Sequence, residues 1–297
     1  MDHLIYNALS VIFDNTLAQN VADFMSYIVN GLAAVMTISG IRDMVTIFSA
    51  AAGTLIVIYY FMDMAGQASR DMITLERLIL SFVKLMIGIM ILIYLPEILS
   101  TLFTIVHLIY KGISGQDLSD VNLGVRFWGQ NTFPSWETVK DEKIVGNGIK
   151  AITGNLGAMI ICMLTYLTGW AARIAAYFLA VSNAVMLVTR AIFSPIAVAQ
   201  CFEDQSRSNA VRYLKKFAAD GLSLGVIAGI LYAASRLQAT VTTAVLHANH
   251  ITEVTSSNAM EIVSNYGLVA AILVINLGAI GAIMKANQLA SDVVGAH

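Results

Sequence analysis

Positive charge is missing from the first part of the chain. No Lys or Arg occurs in residues 1–41, although the whole chain carries 17 of them. Cytoplasmic segments of membrane proteins collect Lys and Arg, and short segments without them generally lie outside. The sequence therefore predicts an N-terminus on the outer face of a membrane.

Charge of either sign is scarce along the whole chain. Charged residues make up 12% of the sequence and hydrophobic residues 58%, whereas soluble domains have about 25% charged residues. A water-soluble fold of this size could not cover its surface with so few charges. The composition predicts a membrane protein.

The residues that metal sites and enzymes need are also few. Cys162 and Cys201 are too few and too far apart for a metal site or a disulfide framework. The nucleotide-binding and H-E-x-x-H motifs are missing, and His247 and His250 supply fewer ligands than a zinc site requires. The sequence predicts no catalytic residue, no metal and no cofactor, so we expect a protein that is not an enzyme.

Apolar segments predict the membrane crossings. A span needs about 20 apolar residues, and three uncharged segments are about that long: 44–62, 151–172 and 262–284. Segments 78–110 and 217–237 are also apolar but contain charges. We therefore predict an all-α polytopic membrane protein with about five transmembrane helices.

The basic residues orient these crossings. Five crossings from an outer N-terminus make three segments cytoplasmic: 63–77, 190–216 and 285–297. They leave three segments outside: 1–43, 111–150 and 238–261. Every basic cluster then lies inside except that of loop 111–150, whose five Lys and Arg are offset by five Asp and Glu. The C-terminus is predicted to lie in the cytoplasm.

Five regions follow from this topology. They are an outer N-terminal segment with an interfacial helix (1–43), spans 1 and 2 (44–110), an outer loop (111–150), span 3 with a long cytoplasmic continuation and a basic segment (151–216), and spans 4 and 5 with a short cytoplasmic tail (217–297).

A glycine stripe marks the fourth span. Gly221, Gly225 and Gly229 recur every four residues, so they lie on one helix face. Such a face lets another helix backbone approach closely. The face packs against a helix of the same chain or of a second subunit, or it lines a pore.

Charges and tryptophans supply the other candidate residues. Lys84 and Arg173 lie inside apolar segments, where a charge is either functional or extends its head group to the interface. Trp128 and Trp136 in the outer loop are predicted interfacial anchors. A basic cytoplasmic group is predicted to contact lipid head groups, an acidic partner or DNA phosphates: Arg190, Arg207, Arg212, Lys215 and Lys216. For Arg190, near a span end, the alternatives are extension of its head group to the interface and pairing inside the helix bundle.

The basic segment also carries a family resemblance. Its first half reads Arg190-Ala-Ile-Phe-Ser194-Pro195-Ile-Ala-Val-Ala199, and after Glu203 and a serine at 206 or 208 its second half reads Arg212-Tyr213-Leu-Lys-Lys-Phe-Ala-Ala219. This pattern resembles the TrbL-type polytopic membrane proteins of type IV secretion and conjugation systems. That family has an outward N-terminus, about five spans, a sizeable outer loop after the second span and an inward C-terminus.

The resemblance implies a function. A member would be a channel or assembly-platform subunit in the bacterial plasma (inner) membrane, moving DNA or protein substrate. It would form a cyclic oligomer, five-fold in symmetry, and work with separate ATPases, a pilin-like subunit, other membrane subunits, phospholipid and transferred DNA. A small-molecule or ion transporter is the alternative, although the two related halves of such a protein are not evident in the sequence. An intramembrane enzyme would need several polar side chains that converge inside the spans, whereas the predicted spans carry only scattered charges.

Overall fold

A computed structural model describes residues 2–13, 16–69, 74–114, 126–140, 156–203 and 207–296. These residues form eleven α-helices: α1 (Asp2–Phe13), α2 (Thr16–Ala33), α3 (Ser39–Ala68), α4 (Leu75–Ile93), α5 (Leu95–Ser114), α6 (Trp136–Val139), α7 (Leu156–Gln200), α8 (Arg207–Ala248), α9 (Ala259–Val263), α10 (Tyr266–Met284) and α11 (Ala286–Val294). A 3₁₀ turn covers Val35–Thr37. The prediction of a helical protein is confirmed.

Two short strands are the only β structure in the described residues. Strand β1 (Arg126–Phe127) pairs in parallel with β2 (Glu253–Val254). Both strands lie in segments that the sequence predicts on the same side of the membrane.

Four of the helices are long and apolar enough to cross a membrane. They are α3, α7 over Met163–Gln200, α8 over Ser208–Ala248, and α10. Helices α4 and α5 pass the same test as a pair bent by 60° and add a fifth span if the pair is one crossing. The described residues therefore have the four to five apolar helices of a multi-pass membrane protein.

Threonines on exposed helix faces satisfy their own hydroxyl groups. Each hydroxyl donates to the carbonyl four residues earlier, which removes its need for water. This arrangement suits a helix face that contacts lipid. It occurs at Thr46, Thr54, Thr101, Thr104, Thr189 and Thr240.

The span boundaries differ from those predicted in three places. The predicted second span is broken because Pro96 has no N–H to continue α4, so a new helix starts at Leu95. The last span begins at Tyr266 instead of 262, where the Asn265 side chain caps α10 by accepting from the Leu268 N–H. The third predicted span and its continuation form one helix of 45 residues, ~67 Å long; residues 151–155 lie outside the described part.

The chain forms two compact units. Unit 1 comprises Met1–Met25, Ile113–Leu179 and Ile227–Lys285, and unit 2 comprises Ser26–Gly112, Ala180–Val226 and Ala286–His297.

Unit 1 has a core drawn from three distant parts of the sequence. Its members come from α1, from the region of β1 and α6, and from the end of α8 through α10: among them are Ile5, Leu9, Phe127, Val139, Leu246, Val254, Ile262 and Ile272. The Tyr6 hydroxyl donates to the Pro134 carbonyl at 3.0 Å. Burial of this apolar surface gives residues 2–13 a structural role that their sequence does not reveal.

A tight turn in unit 1 requires positive φ. Phe127 and Gln130 exchange two backbone hydrogen bonds at 2.7 and 2.8 Å, and Trp128 and Gly129 have φ values of 47° and 78°. Two left-handed residues define a type I′ turn, which normally favours Asn-Gly. The bulky Trp128 is held there because its Nε1–H donates to the Ser256 hydroxyl at 3.0 Å.

Unit 2 is built around helix pairs. Helices α3 and α4 form a hairpin, in which the side chain of Leu92 approaches Gly53 and that of Ile56 approaches Gly88. Helix α11 packs on α8 through small residues, with Ala219, Ala290 and Ala296 buried together. The Lys215 Nζ donates to the Gly295 carbonyl at 3.1 Å, just beyond the C-terminus of α11.

Candidate functional site

A buried ion pair joins the two long helices within unit 2. A guanidinium nitrogen of Arg190 on α7 lies 2.8 Å from a carboxylate oxygen of Asp220 on α8, and their side chains are 22% and 15% exposed. Both residues lie in helices that are apolar enough to span a membrane. Charges in such helices pair with one another and often mark functional positions.

Hydrogen bonds continue from this pair through a set of uncharged polar groups. The Ser223 hydroxyl donates to the Asp220 carbonyl at 2.6 Å. The Asn183 side-chain amide donates to the Ser223 hydroxyl and to the Asn287 side-chain oxygen, at 2.8 Å each. Asn183 is 2% exposed and Ser223 is fully buried. Three helices, α7, α8 and α11, are therefore joined by polar contacts inside an apolar unit.

The two halves of the sequence pattern that resembles the TrbL-type proteins are bonded to each other. The Tyr213 hydroxyl, from the second half, donates to the Arg190 carbonyl of the first half at 2.7 Å. Tyr213 and Asp220 thus both hold Arg190 from α8.

Pro195 has a local compensation in the same segment. A proline inside α7 leaves the carbonyl four residues earlier, at Ala191, without an N–H donor. The Ser194 hydroxyl donates to that carbonyl at 2.8 Å, and Ser194 is 3% exposed. In an apolar environment the hydroxyl restores a bond that the proline removes, so the Ser-Pro pair acts as a unit.

This arrangement is suited to holding helices in register. The two hydrogen bonds donated by the Asn183 amide, the ion pair and the tyrosine hydrogen bond connect α7, α8 and α11. Separating any of them in an apolar environment would cost free energy. The described residues contain no group of three or more potential metal-ligating side chains.

The glycine stripe packs within the chain. A Cβ at Gly221 would lie 2.6 Å from Cγ2 of Val106 on α5, and one at Gly229 would lie 4.0 Å from Cγ2 of Ile113. Gly221 and Gly225 are buried. These contacts agree with the prediction that the stripe packs against a helix of the same chain. At Gly221, Val106 occupies the space that a helix of a second subunit would need.

Lys84 and Arg173 belong to different compact units. Lys84 is exposed on α4 and borders a polar cavity of unit 2, and Arg173 is half-buried on α7 in unit 1. Glu97, a conceivable partner for Lys84, forms an exposed ion pair with Arg42 at 3.4 Å.

The residues of the basic group differ in exposure and in contacts. Arg212 and Lys215 are exposed on α8 and Lys216 is half-buried, as a contact with head groups or a partner requires. Arg190 agrees with the expectation of pairing inside the helix bundle, because its charge is directed into unit 2 against Asp220. The side chain of Arg207 lies outside the described part.

Both tryptophans pack against the core of unit 1. The ring of Trp136 lies 4.8 Å from that of His3 and 5.3 Å from that of Tyr6, so it joins α6 to α1. Both rings are half-buried, and their role as interfacial anchors stays a prediction.

The pairing of Arg190 with Asp220 and the role of two asparagines were missed by sequence reasoning. A signal existed for each. Arg190 and Asp220 are opposite charges that lie at the two ends of the polar segment between the third and fourth predicted spans. Asn183 is an amide inside a long apolar segment, where polar side chains commonly bond to a neighbouring helix. Pairing partners still required the tertiary structure.

Comparisons with family models, with curated proteins and with solved structures find no match to this chain.

Proposed function

We propose that this chain is a channel or assembly-platform subunit of a conjugative type IV secretion system. In this proposal it resides in the bacterial plasma membrane with its N-terminus outside and its C-terminus in the cytoplasm. It moves DNA or protein substrate together with separate ATPases, a pilin-like subunit and other membrane subunits, and it assembles as a cyclic, five-fold oligomer.

One observation carries the proposal. The two halves of the segment that resembles the TrbL-type proteins contact each other, because the Tyr213 hydroxyl donates to the Arg190 carbonyl. Asp220, which follows the second half directly, pairs with the Arg190 guanidinium. We take this contact between the two halves as support for carrying the resemblance over to the function.

The grouping of most segments agrees with the proposed orientation. Of the residues predicted outside, α1, 113–114, 126–140 and 238–261 belong to unit 1, whereas 26–43 and 111–112 belong to unit 2. The described parts of 63–77 and 190–216, both predicted inside, belong to unit 2 together with α11. Segments on one side of a membrane are expected to share contacts, because five crossings alternate in direction.

Plasmid transfer from a donor strain tests the function. We expect an in-frame deletion of the gene to abolish transfer and the wild-type gene in trans to restore it. A Lys285→Met copy serves as the control, because Lys285 is exposed and forms no ion pair within the described residues. Unchanged transfer from the deletion strain would end the proposal.

The transporter alternative has one observation in its favour. The 60° bend between α4 and α5 is the kind of interruption at which transporters bind substrate. Light scattering of the detergent-solubilised protein separates the two: a particle about five times the 32.0 kDa chain supports the ring. A strict monomer that binds a small solute supports the transporter.

A further inference from the structure

Unit 2 contains a polar cavity that has no part in the proposed function. It has a volume of about 220 Å³ and lies between the α3–α4 hairpin and the turn that follows α7. Its position is close to the C-terminal end of α3 and the N-terminal half of α4, since Asp63 and Lys84 both line it. Both charges lie within helices that are otherwise strongly apolar.

Because Gly88 has no side chain, the turn that follows α7 can form one wall of this cavity. A Cβ at Gly88 on α4 would lie 3.2 Å from the ring of Phe202 and 3.0 Å from Cδ1 of Ile56. The Phe202 ring therefore fills the space above Gly88 and holds the turn against the hairpin. Glu203, the next residue, lines the cavity as a result.

One carboxylate of the cavity is held in position. Asp63 accepts from the Ser81 hydroxyl at 2.9 Å and from the Gln67 side-chain amide at 3.0 Å. Ser81 is only 5% exposed, so its hydroxyl is fixed by packing. These neutral donors orient the carboxylate, and no ion pair among the described residues neutralises its charge.

The charges of the cavity do not cancel. Asp63, Glu203 and Lys84 line it together, so its described lining has a formal charge of −1. Among the described residues no ion pair within 4.0 Å joins Lys84 to either carboxylate. One additional positive charge would neutralise the cavity, and a cation bound there would be stabilised by both carboxylates.

The uncharged walls favour an organic cation over a hydrated metal ion. Tyr59, Tyr60 and Phe202 line the cavity with aromatic rings, and Met62 adds a thioether. Aromatic faces attract ammonium and guanidinium groups and cover their apolar stems, whereas hard metal ions require several oxygen ligands. We propose that this cavity binds a small organic monocation, carrying a primary ammonium or a guanidinium group.

Binding to the purified protein in detergent tests this site. The probes are n-butylammonium and methylguanidinium, with n-butanol as the neutral counterpart, measured by saturation-transfer NMR and calorimetry. We expect saturable binding of both cations and none of butanol. Equal binding of butanol, or no saturable cation binding, would overturn the proposal.

Two charge variants with opposite expected effects on cation affinity make the test specific. Loss of one charged contact in Glu203→Gln should weaken cation binding roughly ten-fold. Removal of the like charge in Lys84→Met should strengthen it roughly three- to ten-fold, with Lys84→Gln as a substitute if that variant does not fold. Lys285→Met should leave binding unchanged. Weaker cation binding in both Lys84 variants would refute the site, because it would mean that the lysine attracts the ligand.

The same cation can arrive free or as a side chain of a protein partner. Ac-Ala-Lys-Ala-NH₂ and Ac-Ala-Gln-Ala-NH₂ distinguish these sources. Tighter binding of the lysine peptide than of n-butylammonium identifies a side chain, and binding of n-butylammonium alone identifies a free solute. Both results support the cation site, whereas measurable and equal binding of both peptides counts against it.

Discussion

Separation of the Arg190–Asp220 pair should strongly destabilise the protein. Arg190→Met leaves the Asp220 carboxylate without its partner, and Asp220→Leu does the same to the guanidinium. The two charges lie 2.8 Å apart with side chains 22% and 15% exposed, so little solvent replaces the lost partner. The free energy of unfolding should fall in each single variant.

The magnitude follows from the burial of the pair. Removal of one partner of a buried ion pair costs about 3–5 kcal/mol, whereas replacement of both partners by apolar residues is often neutral. Because this pair retains some exposure, we expect about 3 kcal/mol for each single variant. The double variant should lose less than the two singles together, with a coupling energy of at least about 2 kcal/mol.

An equilibrium unfolding titration measures this cycle. Purified variants in mixed micelles are unfolded with a denaturing detergent and followed by near-ultraviolet circular dichroism. Glu137 and Lys140 form the matched control, because their side chains are 76% and 47% exposed. The cycle Glu137→Leu, Lys140→Met should give a coupling of about 0–1 kcal/mol.

Additivity would refute the reasoning. If Arg190→Met and Asp220→Leu sum to the loss of the double variant, the two charges do not stabilise one another. A coupling no larger than that of the Glu137–Lys140 control would mean that the pair behaves as a surface pair.

Three further predictions use the same unfolding titration. Gly221→Ala should lower the free energy of unfolding by about 1–3 kcal/mol, because the new Cβ meets Val106. Gly278→Ala is the control and should cost nothing, since its Cβ would have nothing within 4 Å. Equal losses in the two variants would exclude the close approach of Val106 to Gly221. Ser194→Ala should cost about 1–2 kcal/mol by leaving the carbonyl that Pro195 exposes without a donor, and wild-type stability would show that the hydroxyl is dispensable. His250 has φ of 57° after the end of α8, so His250→Gly should stabilise by up to about 1 kcal/mol, and a loss would contradict the assigned left-handed conformation.

The helical class and the approximate number of spans were predictable from the sequence. Both depend on local quantities, since an apolar segment of ~20 residues forms a helix and enters lipid wherever it occurs. The α4–α5 break was not predicted, although Pro96 marks it. Apolar content extends across the break, and composition alone does not report the loss of a single backbone hydrogen bond.

For the candidate site, the sequence predicted individual residues but not the contacts between them. Arg190 was selected for its charge, and pairing inside the helix bundle was one of its expected roles beside a head-group or partner contact. Its actual partner, Asp220, lies on a different helix 30 positions later. The tryptophans were likewise selected for their type, but the contact of Trp136 with α1 joins segments far apart in the sequence, which no local pattern reports.

By itself the sequence determined that this is a helical membrane protein, because hydrophobicity and helix formation act over one or two turns. It also determined which residues carry charge and which helix face carries glycine. Only the tertiary structure decided what those residues contact: Asp220 for Arg190, Val106 for Gly221, and the core of unit 1 for Ile5 and Leu9. The physical reason is that an apolar environment demands a partner for every buried charge and polar group, and the choice of partner depends on which distant segments the fold brings together.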